Sequence, residues 1–396
     1  MERIKVQVTP LFERGIKEGN PLLYKDSLEN VSRLEEGQII EVENRDKQFL
    51  GLGYYAIQNK GIGWILTNNS NEAIDEMFFQ KKLADAIEKR KALFQDPHTT
   101  AFRLFNGEGD GIGGFTLDLF NGFLLFQWYS KGIYRFKDKI IAALQTCMEF
   151  KGIYEKKRFD QKGMYVEDDD FVMGEKGDFP ITIKENGISY SVDLNDGAMV
   201  GIFLDQRDVR KMICDKYAKG KDVLNTFSYT GAFSVAAAVG GSKSTTSVDL
   251  ANRSRAKTAE NFQLNNIDLE KQKIIVEDVF HYFKYAVKKN LLFDMVILDP
   301  PSFARSKKHT FSAAKDYTNL LKEAIAITKD NGIIVASTNC STFDMKKFKK
   351  FILDAFEKQS SSYEIVEEFG LPKDFRYLEK VKESNYLKVV FIKKRK

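Results

Sequence analysis

Apolar positions along this chain fall into three textures. Up to about residue 70 they come in short runs broken by Gly and Asn, and residues 4–9, 39–43, 51–57 and 63–66 each read as a strand. The spacing of those runs and turns predicts a small β-barrel. Between 71 and 94, Ile74, Met77, Phe78, Leu83, Ile87 and Leu93 recur near helical spacing among charges, which predicts a helix. A mixed region follows to about residue 185, with strands over 115–119 and 123–128, a helix over 136–149 and an acidic turn at 167–170. From residue 186 onward the period switches back and forth. Strands are predicted over 223–227, 245–250, 273–276, 293–298 and 333–337, and helices over 231–239, 252–265, 280–289 and 313–328. A helix over 346–358 and strands over 362–369 and 386–394 close the chain. Alternation at this pitch predicts a mostly parallel sheet covered on both faces. The expected fold class is therefore α/β in three parts: a barrel over 1–70, a middle α/β domain over 71–185 and a Rossmann-like domain over 186–396.

Composition adds a partner class. The 396 residues carry a net charge of +5, but the charge is uneven. From Asn186 to the end there are 35 Lys and Arg against 26 Asp and Glu, a net +9, whereas the preceding part is net −4. A basic half suits a phosphate-rich partner, although a charge this modest also describes an ordinary solvated surface. No stretch approaches the roughly 20 apolar residues of a membrane span, and residues 1–10 lack the apolar centre of a signal peptide. The three cysteines, Cys147, Cys214 and Cys340, argue for a reducing compartment, and the expected location is the cytoplasm. The scattered His98, His281 and His309 show no metal-ligand spacing, so no metal and no membrane are expected. Oligomeric state is left open.

Candidate chemistry gathers at the ends of the C-terminal strands, where ligands bind in open α/β sheets. The first strand runs through Phe227, Ser228, Tyr229, Thr230 and Gly231 into a helix, and the glycine lets the backbone approach a ligand. Asp249, followed by Leu250, ends the next strand, where a carboxylate can accept both hydroxyls of a ribose. Asp278 ends the third and could receive an adenine amino group, or simply cap the next helix. A nicotinamide site would want G-x-G-x-x-G in the first turn, and N-T-F-S-Y-T-G has only the last glycine. The glycine-rich stretch 107–114 feeds a strand rather than a helix and reads as a structural turn. The fourth strand ends in Leu298-Asp299-Pro300-Pro301-Ser302. Two consecutive prolines hold that loop extended and without free backbone donors, so it can present Asp299 and nearby carbonyls to a flat base. Asp-Pro-Pro in that place marks methyltransferases that act on planar nitrogen or ring carbon.

With these motifs in hand, the chain resembles the class I ribosomal RNA methyltransferases with an N-terminal PUA domain, whose best-known members make 5-methylcytosine in large-subunit ribosomal RNA. The likeness covers nearly the whole chain and is carried by G-I-F-L-D-Q-R (201–207), N-T-F-S-Y-T-G-A-F (225–233), S-V-D-L (247–250), D-P-P-S-F (299–303) and S-T-N-C-S (337–341). The stretch R-L-F-N-G-E-G-D-G-I-G-G (103–114) is similar to that family's second domain. The resemblance implies S-adenosylmethionine as cofactor and structured RNA, large-subunit ribosomal RNA in particular, as partner. It also implies a PUA barrel at the N-terminus and Arg207 near the cofactor carboxylate. Two departures touch the target base. The cytosine enzymes read F-S-C-S where this chain has S-T-N-C-S, and they follow D-P-P with Lys rather than Ser302. A related group that methylates a guanine ring nitrogen has D-P-P-T-F followed by a Ser/Lys-rich stretch, which 302–308 resembles.

Cytosine carbon 5 takes a methyl group only after a thiolate adds at carbon 6, a covalent division of one hard step. Cys340, just past the strand next to that of Asp299, is the candidate thiolate. Asp299 would hold the exocyclic amine or protonate the ring nitrogen. Cys147 and Cys214 lie on helical segments and are expected to be buried packing residues. The basic run from Arg305 to His309 could grip flanking phosphates or be a solvated loop. Three readings remain: a cytosine carbon-5 enzyme, a guanine-nitrogen enzyme that needs no thiol, and an RNA-binding assembly factor that does not turn over.

Overall fold

A computed structural model describes residues 3–29, 31–59, 61–159, 170–305 and 310–396. Residues 167–169 of the acidic turn and 306–309 of the basic run lie outside the described residues. The chain forms two compact units. The first comprises Met1–Ile181, Asp193–Val200 and Lys373–Ser384; the second comprises Thr182–Val192, Gly201–Pro372 and Asn385–Lys396.

The first unit starts with strands β1 (Ile4–Gln7), β2 (Leu22–Leu23), β3 (Ile39–Glu43), β4 (Phe49–Tyr55) and β5 (Gly63–Thr67), in the order β1-β3-β4-β5-β2. Helix α1 (Pro10–Lys17) was not legible in the sequence: eight residues with an internal Gly15 give too little periodicity, although Pro10 suits a helix start. Side chains alternate between two cores with the period of a strand. Ile40, Val42, Tyr55 and Ile65 pack on one side with Val6 and Val8. Ile39, Tyr54, Trp64 and Leu66 pack on the other, in one cluster with Phe78, Phe79, Phe115 and Phe136 from beyond residue 70. That second cluster rests on α2 (Glu76–Lys89), capped by Asp75, α3 (Lys91–Phe94) and the sheet β6 (Ala101–Asn106), β7 (Phe115–Phe120), β8 (Phe123–Trp128), β9 (Gly152–Lys157) and β10 (Phe171–Gly174). Its order is β10-β9-β8-β7-β6, with α4 (Lys131–Tyr134) and α5 (Lys137–Cys147) crossing over between the parallel β8 and β9. Asn121 and Gly122, both at positive φ, make the tight β7–β8 hairpin. In the glycine-rich stretch 107–114, buried Asp110 takes both arms of the buried Arg90 guanidinium at 2.8 and 2.6 Å. A Cβ on Gly109 would lie 1.9 Å from the Arg376 carbonyl oxygen, so this glycine serves close packing of the chain.

The second unit begins with the hairpin β11 (Ile181–Glu185) and β12 (Ile188–Val192), then α6 (Arg207–Met212). Next come β13 (Asp222–Thr226), α7 (Ala232–Val239), β14 (Ser244–Asp249), α8 (Arg253–Gln263), β15 (Gln272–Val276), α9 (Val279–Lys288) and β16 (Phe293–Leu298). A small ladder of β17 (Phe303–Arg305) and β18 (Thr310–Ser312) follows, then α10 (Ala313–Ile327), β19 (Thr328–Thr338), α11 (Met345–Lys358), β20 (Ser362–Phe369) and β21 (Lys388–Arg395). The seven-stranded sheet has the order β15-β14-β13-β16-β19-β21-β20, and β21 pairs antiparallel with both neighbours. Alternate residues again feed two faces. Leu224, Val296, Leu298 and Ile334 pack with α9, α10 and α11, while Val223, Met295, Ile297 and Val335 pack with α6 and α7. Burial on both faces explains the near-continuous apolar runs of β16 and of residues 333–336 in β19. Strand order reverses between β13 and β16, which places a ligand crevice at their carboxyl ends. No helix among the described residues is long and apolar enough to cross a membrane.

Candidate active site

The turn from β13 into α7 alternates left-handed backbone: Phe227, Tyr229 and Gly231 stand at φ 54°, 50° and 75°. Left-handed φ is disfavoured for Phe and Tyr and persists only where surrounding bonds impose it. Here the Ser228 amide donates to the Val248 carbonyl at 3.1 Å and the Gly231 amide to the Ser228 carbonyl at 2.7 Å. The Tyr229 amide donates to Asp249 Oδ2 at 2.8 Å. The Thr230 hydroxyl donates to the Gly201 carbonyl at 2.6 Å, and Asn261 Nδ2 donates to the Thr230 carbonyl at 2.9 Å. Gly231 is required twice over, by its φ and by α8: a Cβ there would lie 2.4 Å from Thr258 Cγ2.

Asp249 is half-buried at the end of β14. Its Oδ1 also accepts the Ala251 amide at 2.9 Å, so each carboxylate oxygen already takes one backbone donor and keeps a second lone pair. Leu250 beside it is exposed. Asp278 caps α9, its Oδ1 accepting from the amides of Phe280 and His281 at 3.0 and 3.2 Å. Capping and an adenine contact through Oδ2 are compatible. The segment 201–210 crosses the carboxyl edge of the sheet. Arg207, 5% exposed, lies 3.8 Å from Asp208. Arg210 anchors the segment: its guanidinium holds Glu185 bidentately at 2.6 and 2.7 Å, donates to the Phe203 carbonyl at 2.7 Å and stacks over Phe233 and Tyr190. The Phe203 ring stays half exposed and meets Tyr229 at 5.5 Å between centroids.

Asp299 ends β16 facing that segment. Gln206 Nε2 donates to Asp299 Oδ1 at 3.1 Å and to Ser337 Oγ, at the end of β19, at 2.7 Å. Burial pushes the Asp299 carboxyl up to about 6; the Ser337 hydroxyl and Arg210 oppose this rise and Asp205 adds to it. Cys340 lies just beyond Ser337, 7% exposed, with Sγ 3.1 Å from Thr342 Oγ1. Ser302 Oγ donates to Asn339 Oδ1 at 2.6 Å, which ties the Asp-Pro-Pro loop to the loop of Cys340. The expectation that Cys147 and Cys214 are buried fails, since both are half-buried, whereas Cys340 is buried in one cluster with Phe343, Phe348 and Ile352. Gln206, Arg210, Thr258 and Ser337 were missed as site residues. Gln206 and Ser337 stood inside quoted motifs, but nothing in their spacing shows that they share a partner.

A strained turn with no room for a side chain at Gly231, and carboxylates ending β14 and β15, fit a ligand that carries ribose hydroxyls and an adenine amine. Together with the strand order, these features define a class I methyltransferase domain. Residues 166–392 match the family of S-adenosylmethionine-dependent methyltransferases, and residues 6–68 match the PUA-like domain. YwbD of Bacillus subtilis (strain 168), provisionally described as a ribosomal RNA large subunit methyltransferase, is 61% identical over 96% of this chain and 97% of its own. Ribosomal RNA large subunit methyltransferase I of Alteromonas mediterranea is 31% identical over 97% of each chain. The crystal structure of SMU.776, provisionally described as a methyltransferase and complexed with SAH, superposes with a TM-score of 0.91 at 41% identity. It covers 99% of this chain and 100% of that one. The chain belongs to the S-adenosylmethionine-dependent methyltransferase family and carries a PUA-like domain at its N-terminus.

Proposed function

We propose that this enzyme methylates carbon 5 of a cytosine in large-subunit ribosomal RNA. The names of the relatives support the RNA class, and the PUA-like domain supports docking on structured RNA. One observation carries the choice of base: the Ser302–Asn339 bond joins the loop of Asp299 to the loop of Cys340 at the ends of adjacent strands. A thiol and a carboxyl on linked loops suit a cytosine drawn out of its stack.

The residues then divide the work. Tyr229, Thr230 and Gly231 would hold the cofactor by the turn, with Phe227 and Leu250 as apolar walls. Asp249 would take the ribose, Asp278 the adenine amine and Arg207 the carboxylate. When bound, S-adenosylmethionine supplies an electrophilic methyl group. The Cys340 thiolate adds to carbon 6, and the pair of electrons from the 5,6 double bond makes carbon 5 nucleophilic. Asp299 accepts a hydrogen bond from the exocyclic amine and keeps the ring oriented. After methylation, transfer of the carbon-5 proton to a water molecule returns the electrons of the carbon–hydrogen bond to the 5,6 double bond and expels the thiolate from carbon 6. Burial of Cys340 favours a second reading, methylation of a guanine ring nitrogen, in which the sulfur only packs.

5-Fluorocytidine separates the two. Fluorine at carbon 5 of the target blocks the final deprotonation, so a covalent protein–RNA adduct should accumulate and survive denaturant. Cys340→Ala should abolish adduct and turnover while leaving SAH affinity within about twofold, since the sulfur faces the base. Full methylation by Cys340→Ala ends the cytosine reading, and nucleoside mass spectrometry of the RNA product then identifies the base.

A further inference from the structure

Gln206 is 3% exposed, and its two amide hydrogens go to Asp299 and Ser337, but its Oε1 meets no donor among the described residues. A buried acceptor without a donor costs roughly 1–3 kcal/mol, and an apolar side chain of the same length would avoid that cost. An amide that a packing role does not need, set between the ends of two neighbouring strands, points to what its N–H groups hold. We propose that Gln206 is a positioning residue for the base-reading carboxylate: it clamps Asp299 Oδ1 to Ser337 and leaves Oδ2 turned toward the target base's amine. This inference rests on the reading of Asp299 given above.

Neutral donors suit the task better than a cation. An arginine in place of Gln206 would bind both carboxylate oxygens and leave none for the base. Arg210, whose charge acts on Asp299, is spent on Glu185 and the Phe203 carbonyl. Other groups face the carboxylate. Asp205, whose Oδ2 accepts the Tyr386 hydroxyl at 2.8 Å, repels its charge. Tyr317 donates its hydroxyl to the Ser337 carbonyl at 2.6 Å, which fixes the strand end rather than the acid. The Ser337 hydroxyl is itself a hydrogen-bond partner of Asp299 and favours its ionised form; Gln206 holds both Asp299 Oδ1 and that hydroxyl, and so fixes the carboxylate and its second donor together.

The experiment is the pH dependence of single-turnover methylation by the full-length enzyme, on a ribosomal RNA substrate that the wild type methylates. Gln206→Met removes the clamp at nearly constant volume. It should slow the step by about 10- to 100-fold, as expected for a misplaced group. Its acid limb should rise by roughly half a pH unit or more, because an ionised carboxylate has lost a donor. SAH affinity should stay within about twofold of wild type. Gln206→Glu should move the limb further up, since two adjacent carboxyls hold a proton between them. Asp299→Asn is measured in parallel. If Asp299→Asn keeps the wild-type rate, the reading of Asp299 fails and the positioning role falls with it. If Asp299→Asn is slow but Gln206→Met matches wild type in rate and acid limb, the positioning role alone is overturned. A slow Gln206→Met with an unmoved limb and a lowered melting temperature also overturns it, by reducing Gln206 to packing.

Discussion

Replacing Gly231 with alanine tests whether the cofactor turn is imposed by packing or chosen by sequence. Two costs add. A left-handed residue with a Cβ costs roughly 1–2 kcal/mol relative to glycine. The new Cβ would also stand 2.4 Å from Thr258 Cγ2 and 2.9 Å from its Oγ1, inside the packed contact between α7 and α8. Thr258 is fully buried and sits within a helix, so it moves only with its backbone, and overpacking of this kind costs roughly 1–3 kcal/mol. The reduced freedom of the unfolded chain returns about 0.4–1 kcal/mol. The expected net loss is about 2–4 kcal/mol, a sizeable part of the roughly 5–15 kcal/mol that holds a domain folded. Urea denaturation should show a lower midpoint at unchanged slope, and SAH calorimetry should show weaker binding because Tyr229 and Thr230 move with the turn. Thr258→Ala in the same chain should recover most of the steric share and none of the backbone share. The Thr258 hydroxyl has no partner among the described residues, so its removal breaks no bond. A Gly231→Ala protein within about 0.5 kcal/mol of wild type, or a double variant no more stable than the single, refutes the reasoning.

Two further expectations follow from the same geometry. Asp249→Asn keeps one acceptor oxygen for a backbone amide and sets a carboxamide NH2 against the other amide donor, so SAH should bind roughly 1.5–3 kcal/mol more weakly and the fold should lose about 1 kcal/mol; calorimetry with unchanged affinity would remove Asp249 from the ribose role. Deleting residues 1–70 would strip Tyr54, Trp64 and Leu66 from the cluster they share with Phe78 and Phe136, so the truncated chain should lose protease resistance in its middle region. Single substitutions on the surface of the PUA-like domain are therefore the sound way to measure its share of RNA binding, and a truncated chain as protease-resistant as the intact one would contradict the shared core.

Several parts of this protein were fixed by local chemistry and were legible in the residues. A strand buried on both faces gives a nearly unbroken apolar run, so Phe293–Leu298 was bounded in the sequence as it stands in the structure; Ser362–Phe369, an edge strand of mixed polar and apolar residues, was bounded as it stands too. The switch of period near residue 186 announced an α/β sheet, and Gly231, Asp249, Asp278 and Asp299 stood at strand ends where such sheets bind ligands. Short or edge elements were not legible: α1 spans barely two turns, and β6, β9 and β10 belong to a sheet whose pairing depends on distant partners. Periodicity also says which face of a strand is buried without saying against what, so a core shared across residue 70 came only with the fold. Depth was decided the same way, since a cysteine's burial depends on what packs around its loop, and here Cys340 joins one buried cluster with Phe343, Phe348 and Ile352. The clamp on Asp299 joins residues 93 and 131 positions apart. Hydrogen bonds act over about 3 Å of space and leave no period in the chain, so only the tertiary structure could bring Gln206, Asp299 and Ser337 together.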